Sequence, residues 1–127
     1  MICELSFMSK VLNILINRKR LVIVLEDRIH VYDIANMKLL HSIDTPMNTT
    51  GVAALSPNSD FSLLAYPSNS HTGELTIYDC INLKPLSIIN AHKTPVTCLI
   101  FSANGDQLAT ASDKVQQRFC TTNLNLA

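Results

Sequence analysis

Apolar and polar positions along the chain change over in short runs, and no stretch of useful length holds a helical period. The runs "RLVIVL" (20–25), "RIHVYDI" (28–34) and "GELTIYD" (73–79) are rich in β-branched and aromatic residues. Polar punctuators such as "NRK", "ED", "NSD" and "NSHTG" stand between the runs. The pattern predicts strands at about 11–16, 20–25, 28–34 and 39–43, then at 52–56, 62–66, 74–79 and 85–89. A third group begins with "VTCLIFS" (96–102) and "QLATAS" (107–112). The expected class is all-β.

The groups repeat. "VYDIANMKLLHSI" (31–43) aligns with "IYDCINLKPLSII" (77–89), matching Tyr32 to Tyr78, Asp33 to Asp79, Asn36 to Asn82, Lys38 to Lys84, Leu40 to Leu86 and Ile43 to Ile89. "SPNSD" (56–60) aligns with "SANGD" (102–106) at the same offset of 46 residues. Four short strands every forty-odd residues is the period of a β-propeller blade. The expected architecture is a WD-repeat-like β-propeller, incomplete, with two full four-stranded blades and part of a third. Tyr32, Asp33, Tyr78 and Asp79 close the third strand of each copy, where they are expected to hold strand-to-turn geometry.

Composition removes several function classes. The 127 residues suit one domain, and a formal net charge of zero gives no field that would steer the chain toward nucleic acid. The basic turn "NRKR" (17–20) has no aromatic platform beside it and reads as a solvated turn, so no nucleic-acid partner is expected. The longest aliphatic run, Leu21 to Leu25, is far too short to span a bilayer. "MICELSF" lacks the features of a signal peptide, so a soluble, cytosolic protein is expected. Cys3, Cys80, Cys98 and Cys120 are scattered with no C-x-x-C pair. They read as small buried hydrophobes, with no metal site and no cofactor. Catalytic motifs are missing and the whole chain holds three glycines. His92, Ser112 and Asp113 could be drawn as a triad, but adjacent strand residues point to opposite sides. No enzyme is expected.

Three long phrases carry a family resemblance: "LINRKRLVIVLEDRIHVYDIANMKLLHSI" (15–43), "ALSPNSDFSLLAYP" (54–67) and "AHKTPVTCLIFSANGDQLATASDK" (91–114). They resemble the PROPPIN family, seven-bladed propellers that bind polyphosphoinositides, and its autophagy branch most of all. The resemblance places the chain at the end of blade one, all of blades two and three and half of blade four, with "ICELSF" as the closing strand of a preceding blade. It implies a cytoplasmic protein recruited peripherally to the autophagosome precursor or to endosomal and vacuolar membranes. Its ligands would be phosphatidylinositol 3-phosphate and the 3,5-bisphosphate, and its autophagy partners would bind through blades two and three. By position, His92, Thr110 and Ser112 would belong to one of two lipid pockets. In WD-type blades His92, Ser112 and Asp113 would instead form a buried hydrogen-bond network, and both readings stand. The "DTPMNTTG" connection (44–51) falls where the family engages partners, and here it bears an acid and no arginine.

The chain departs from the family after Lys114. Where members have a Gly-Thr, an arginine-bearing strand and then F-R-R-G, this sequence reads "VQQRFCTTNLNLA". An alternative exon, a frameshift or intron read-through would each produce such a departure. The expected division is a partial propeller over 1–114 and an unmatched, disordered tail over 115–127. Headgroup binding rests on arginine forks that meet two phosphate oxygens at once, so the expected half-site has lost its affinity. The alternatives are a WD-type interaction scaffold without lipid binding, or a nonfunctional truncated product. Two and a half blades would leave apolar faces and sheet edges uncovered, so the chain alone is expected to be poorly stable and to oligomerise or aggregate.

Overall fold

The computed structural model describes residues 10–57 and 62–112, together with the backbone of 118–123. These residues form three antiparallel sheets. The first runs β1 (Asn13–Ile16), β2 (Arg20–Val24), β3 (Arg28–Asp33) and β4 (Leu39–Asp44), each strand paired with the next. The second repeats that order with β5 (Ala54–Leu55), β6 (Leu63–Pro67), β7 (Gly73–Asp79) and β8 (Lys84–His92). The third holds β9 (Val96–Phe101), β10 (Gln107–Ser112) and β11 (Arg118–Asn123), with β10 in the middle.

The eight strands expected in the first two groups and the two that open the third are all present. β8 runs on to His92, three residues past its expected end, and that extension carries the candidate site. One expectation is corrected. No strand was expected after Lys114, yet the backbone of Arg118–Asn123 pairs with β10 along its whole length. The physical reason is plain in hindsight. "RFCTT" is a run of β-forming residues, and β10 offers it a free row of backbone donors and acceptors.

Matching turns end the third strand of both full sheets. Asp33 Oδ1 accepts the Ala35 N–H at 2.9 Å, and Asp79 Oδ1 accepts the Ile81 N–H at the same distance. Each aspartate thereby folds its own backbone over, the Asx turn that this residue type favours. Four residues later both loops place a non-glycine residue in the left-handed region, Met37 at φ 59° and Leu83 at φ 58°. The repeat therefore extends from sequence to backbone conformation.

The sheets stack face to face. Val22, Val24, Ile29 and Val31 of the first sheet and Leu64, Tyr66, Tyr78 and Cys80 of the second form one buried cluster between them. Ala54, Leu63, Leu75 and Ile77 of the second sheet meet Val96, Phe101 and Leu108 of the third in another. Strand alternation sends successive residues of the middle sheet into opposite clusters, so each of its strands serves both seams. Among the described residues no helix is long and apolar enough to cross a membrane.

Candidate functional site

The site predicted around His92 lies at the seam between the second and third sheets. His92 is the last residue of β8, and only residues 93–95 separate it from β9. That short connection holds the end of one sheet against the next. Leu108, Thr110 and Ser112 alternate along the face of β10 that turns toward the second sheet, and all three are buried. His92 Nε2 lies 2.8 Å from Thr110 Oγ1, a hydrogen bond that crosses the seam. Ser112 sits two residues further along the same face and is 2% exposed, as is Thr110. The structure thus joins His92 to Thr110 and puts Ser112 two residues along the same buried face. It puts the Thr110 hydroxyl on the imidazole, whereas the WD-type network had been expected to use Ser112. Asp113 lies outside the described residues.

Gly73 makes this arrangement possible. It pairs with His92 across β7 and β8, and a Cβ there would come within 2.6 Å of the His92 Cβ and carbonyl oxygen. Real Cβ atoms do not approach so closely, so a side chain at 73 would push the imidazole off Thr110. No sequence pattern pointed to Gly73. Its place opposite the histidine in the β7–β8 ladder could have done so.

Lys93, next to His92 in the 93–95 connection, is exposed, and the described arginines lie away from this seam. Arg18, Arg20 and Arg28, the arginines whose side chains are described, all belong to the first sheet or its turns. The site therefore offers an imidazole and two hydroxyls and no guanidinium among the described residues. Neutral donors of this kind hold a phosphate weakly in water.

The basic turn 17–20 has a structural job that the sequence did not reveal. Asn17 Nδ2 donates to the Ser56 carbonyl at 3.0 Å and to Ser62 Oγ at 3.1 Å, while Asn17 Oδ1 accepts from the Lys19 and Arg20 N–H groups. Arg20 Nε donates to the Cys80 carbonyl at 2.8 Å. Both side chains leave the first sheet and bond to the second. The solvated-turn reading holds for Arg18 and Lys19, which are exposed, and is corrected for Asn17 and Arg20, which clasp the seam.

The repeat residues are placed as follows. Tyr32 and Tyr78 are buried on corresponding faces of their sheets, and Asp33 and Asp79 close their turns. His41 of β4 stacks on Tyr78 across the first seam, rings 6.2 Å apart and 4° from parallel. Burial, with Cys80, Tyr66 and Asp79 nearby, pushes the Tyr78 hydroxyl up to about 12. Burial alone would raise the Asp79 carboxyl. The Asn82 side-chain amide at 2.7 Å, the N–H groups of 82 and 81 and the Lys84 ammonium outweigh it and hold the group below its ordinary value. Cys80 is buried, as read from the sequence, and burial pushes its thiol up to about 12. Cys98 corrects that reading, since it is exposed on the outer face of the third sheet. Cys3 and the side chain of Cys120 lie outside the described residues. Among the described residues no group of His, Cys, Asp or Glu could hold a metal ion.

A second concave feature lies on the side of the stack that carries the 44–51 connection. A cleft of about 190 Å³ is lined by Pro46, Met47, Asn48, Pro67, Asn69 and Pro95, among others. Met47 is 57% exposed at its mouth. The cleft is lined by prolines, Met47, Val96, two amides and the hydroxyl residues Thr49, Thr50, Ser70 and Thr97, with no cationic side chain.

Repeated four-stranded sheets stacked face to face, with polar side chains crossing each seam, define part of a WD-type β-propeller. The likeness to solved propellers agrees. The chain is similar to KlHsv2 with its loop 6CD replaced by a Gly-Ser linker, at a TM-score of 0.75 and 20% identity, covering 96% of this chain and 39% of that one. It is also similar to the WD40 repeats of RRP9, at a TM-score of 0.63 and 16% identity, over 84% of this chain and 33% of that one.

A family model described as PROPPIN matches residues 1–121, and the chain belongs to the PROPPIN family. It is 44% identical over 133 residues to autophagy-related protein 18 of Mycosarcoma maydis, covering 89% of this chain and 29% of that protein. Against autophagy-related protein 18 of Yarrowia lipolytica it is 42% identical over 134 residues, covering 89% and 34%. The chain spans about a third of the length of the curated relatives it matches.

Proposed function

We propose that the chain supplies part of an autophagy-related propeller that docks on membranes bearing phosphatidylinositol 3-phosphate or the 3,5-bisphosphate and recruits partners there as an adaptor. The observation that carries the reading is the cross-seam pair of His92 and Thr110, with Ser112 beside it on the same buried face. Family membership supports it, as do the autophagy-related relatives. The role is binding, not catalysis, and it needs no cofactor. Headgroup affinity would come from arginines that join this half-site, because a guanidinium meets two phosphate oxygens with charge-assisted bonds and a hydroxyl meets one without charge. In the 127-residue chain by itself the half-site holds no such arginine among its described residues, and its own lipid binding is negligible.

The cleft between 46–50, 67–70 and 95–97 favours a second reading, a partner-binding scaffold. Its exposed methionine suits an apolar peptide side chain, and the lack of a cation argues against recruitment through charge. Sequencing the transcript and the genomic DNA across the Lys114 codon separates the two readings. A Gly-Thr, an arginine-bearing strand and F-R-R-G in another frame or beyond an intron would assign lipid docking to the longer product, which should then float with phosphoinositide vesicles. A transcript that ends at Ala127 with no such coding sequence beyond would leave partner binding alone.

A further inference from the structure

The turn between β9 and β10 carries the one asparagine in the chain that a glycine follows, Asn104 before Gly105. That step has a chemistry of its own. The backbone nitrogen of the following residue can attack the asparagine side-chain carbon, and glycine, with no Cβ, leaves the approach open. A bond forms between Gly105 N and Asn104 Cγ, and the bond from Cγ to the side-chain nitrogen breaks. Ammonia leaves, taking the proton of the Gly105 N–H. The cyclic imide then takes up water and opens to aspartate, or to isoaspartate, in which the main chain runs through Cβ and Cγ.

The geometry of this turn opposes that reaction. Gly105 sits at φ 76°, in the left-handed region, and its N–H donates to the Ser102 carbonyl at 2.9 Å. The attacking nitrogen must give up that proton, and here a hydrogen bond holds it. Asn104 is exposed but Gly105 is buried, so solvent base reaches the side chain and not the nitrogen. The carbon under attack is held as well, because Ser102 Oγ donates to Asn104 Oδ1 at 2.9 Å.

Ser102 is the centre of the turn. Its N–H donates to the Gln107 carbonyl at 2.9 Å, and its Oγ accepts the Gln107 N–H at 3.1 Å and lies 3.1 Å from Asp106 Oδ1. Both reacting groups, the Gly105 nitrogen and the Asn104 amide, are thus tied to one residue. The aligned run "SPNSD" (56–60) keeps the serine and the asparagine but has Ser59 in place of the glycine. A side chain at that position crowds the attack, so the reactive step is peculiar to the third sheet.

We propose that Asn104 is a site of spontaneous deamidation that the folded hairpin holds shut through Ser102, so that modification follows opening of the third sheet. The product acts back on the fold. Either acid adds a negative charge beside Asp106, in a chain whose formal net charge is zero. Isoaspartate also puts one more carbon into the main chain, and the lengthened turn no longer brings the Gly105 N–H onto the Ser102 carbonyl. β10 then loses the hairpin that sets its register on β9, and β10 carries Thr110 and Ser112. Opening becomes permanent, and the second seam is lost with it. The inference does not depend on the lipid reading.

The test is peptide mapping by mass spectrometry of the 127-residue chain held at mildly alkaline pH, both native and unfolded in urea. Trypsin releases residues 94–114 as one peptide, in which Asn104 is the only asparagine. The expected result is conversion of Asn104 in urea, with isoaspartate among the products, and conversion at least about tenfold slower in the native chain, as a local opening equilibrium allows. Ser102→Ala raises the native rate several-fold, and Ser102→Thr, which keeps the hydroxyl, restores protection. Gly105→Ala stops conversion in urea, where its strained φ has no bearing. Native conversion as fast as that in urea overturns the proposal, and so does a lack of conversion in urea. A Ser102→Ala chain that keeps its sheet signal in circular dichroism and converts as slowly as the parent also overturns it. If that variant does not fold, the native and urea rates of the parent chain still decide whether the hairpin shuts the site.

Discussion

At the first seam, Asn17 and Arg20 give their protons to backbone carbonyls of the second sheet. At the second seam, His92 meets a side-chain hydroxyl, Thr110, with another hydroxyl two residues along. A backbone carbonyl is fixed by the ladder it belongs to, so a side chain that bonds to it is committed to architecture. An imidazole and a hydroxyl can each donate or accept, so a bond between them is set by two side chains and not by a ladder. The two seams pack alike, each over a buried aliphatic cluster. They differ in their partners: the first seam is bonded chiefly to backbone carbonyls, with one further bond from Asn17 to the Ser62 hydroxyl, and the second through a pair of side chains. The first seam holds the sheets together.

The largest test of this contrast lies beneath the polar groups. Leu64 is fully buried at the first seam, and Leu64→Ala should cost about 2–5 kcal/mol in urea unfolding. A loss well under 1 kcal/mol would mean that the seam is not packed as described. Next comes the clasp. Arg20→Ala strands the Cys80 carbonyl in a residue with no exposure, at about 1–3 kcal/mol. Sensitivity to this change should exceed that at the second seam, where Thr110→Val removes the neutral hydrogen bond to His92, worth about 0.5–1.5 kcal/mol. If Thr110→Val proved the more damaging, the second seam would be the locked one and the contrast would reverse.

The smallest expected effect is a pH response in the turn of the second sheet. The Asp79 carboxyl is held below its ordinary value in the folded chain. Its contribution is therefore complete above the unfolded carboxylate pKa and is lost as pH falls through the folded one. Asp79→Asn should flatten the acid limb of the stability profile and leave neutral pH little changed. An acid limb of unchanged steepness in that variant would show that another carboxylate sets it.

Much of the fold was legible because its signals are local. Period-two runs gave the strands, and the Tyr-Asp pairs gave the ends of β3 and β7. The roles of Asn17, Arg20 and Gly73 were hidden, because each depends on a partner some 20 to 60 positions away in the chain. No local pattern encodes which carbonyl an asparagine will reach. β11 was missed for a different reason. Its residues carry ordinary β-propensity and no family motif, so nothing but pairing with β10 marks the run as a strand. Of the candidate site, His92, Thr110 and Ser112 were named from resemblance, and the structure bonds the first two, with Ser112 further along the same buried face. Their pairing, Thr110 rather than Ser112 on the imidazole, follows from the length of β8 and was not readable beforehand.

The most direct test of the central claim is flotation of the 127-residue chain with vesicles containing phosphatidylinositol 3-phosphate, at physiological salt. The account predicts no saturable binding above that to vesicles without the lipid, because an imidazole and two hydroxyls lack the charge-assisted bonds that hold a headgroup. Saturable binding that is lost on His92→Ala would contradict it, and would mean that the neutral half-site is sufficient.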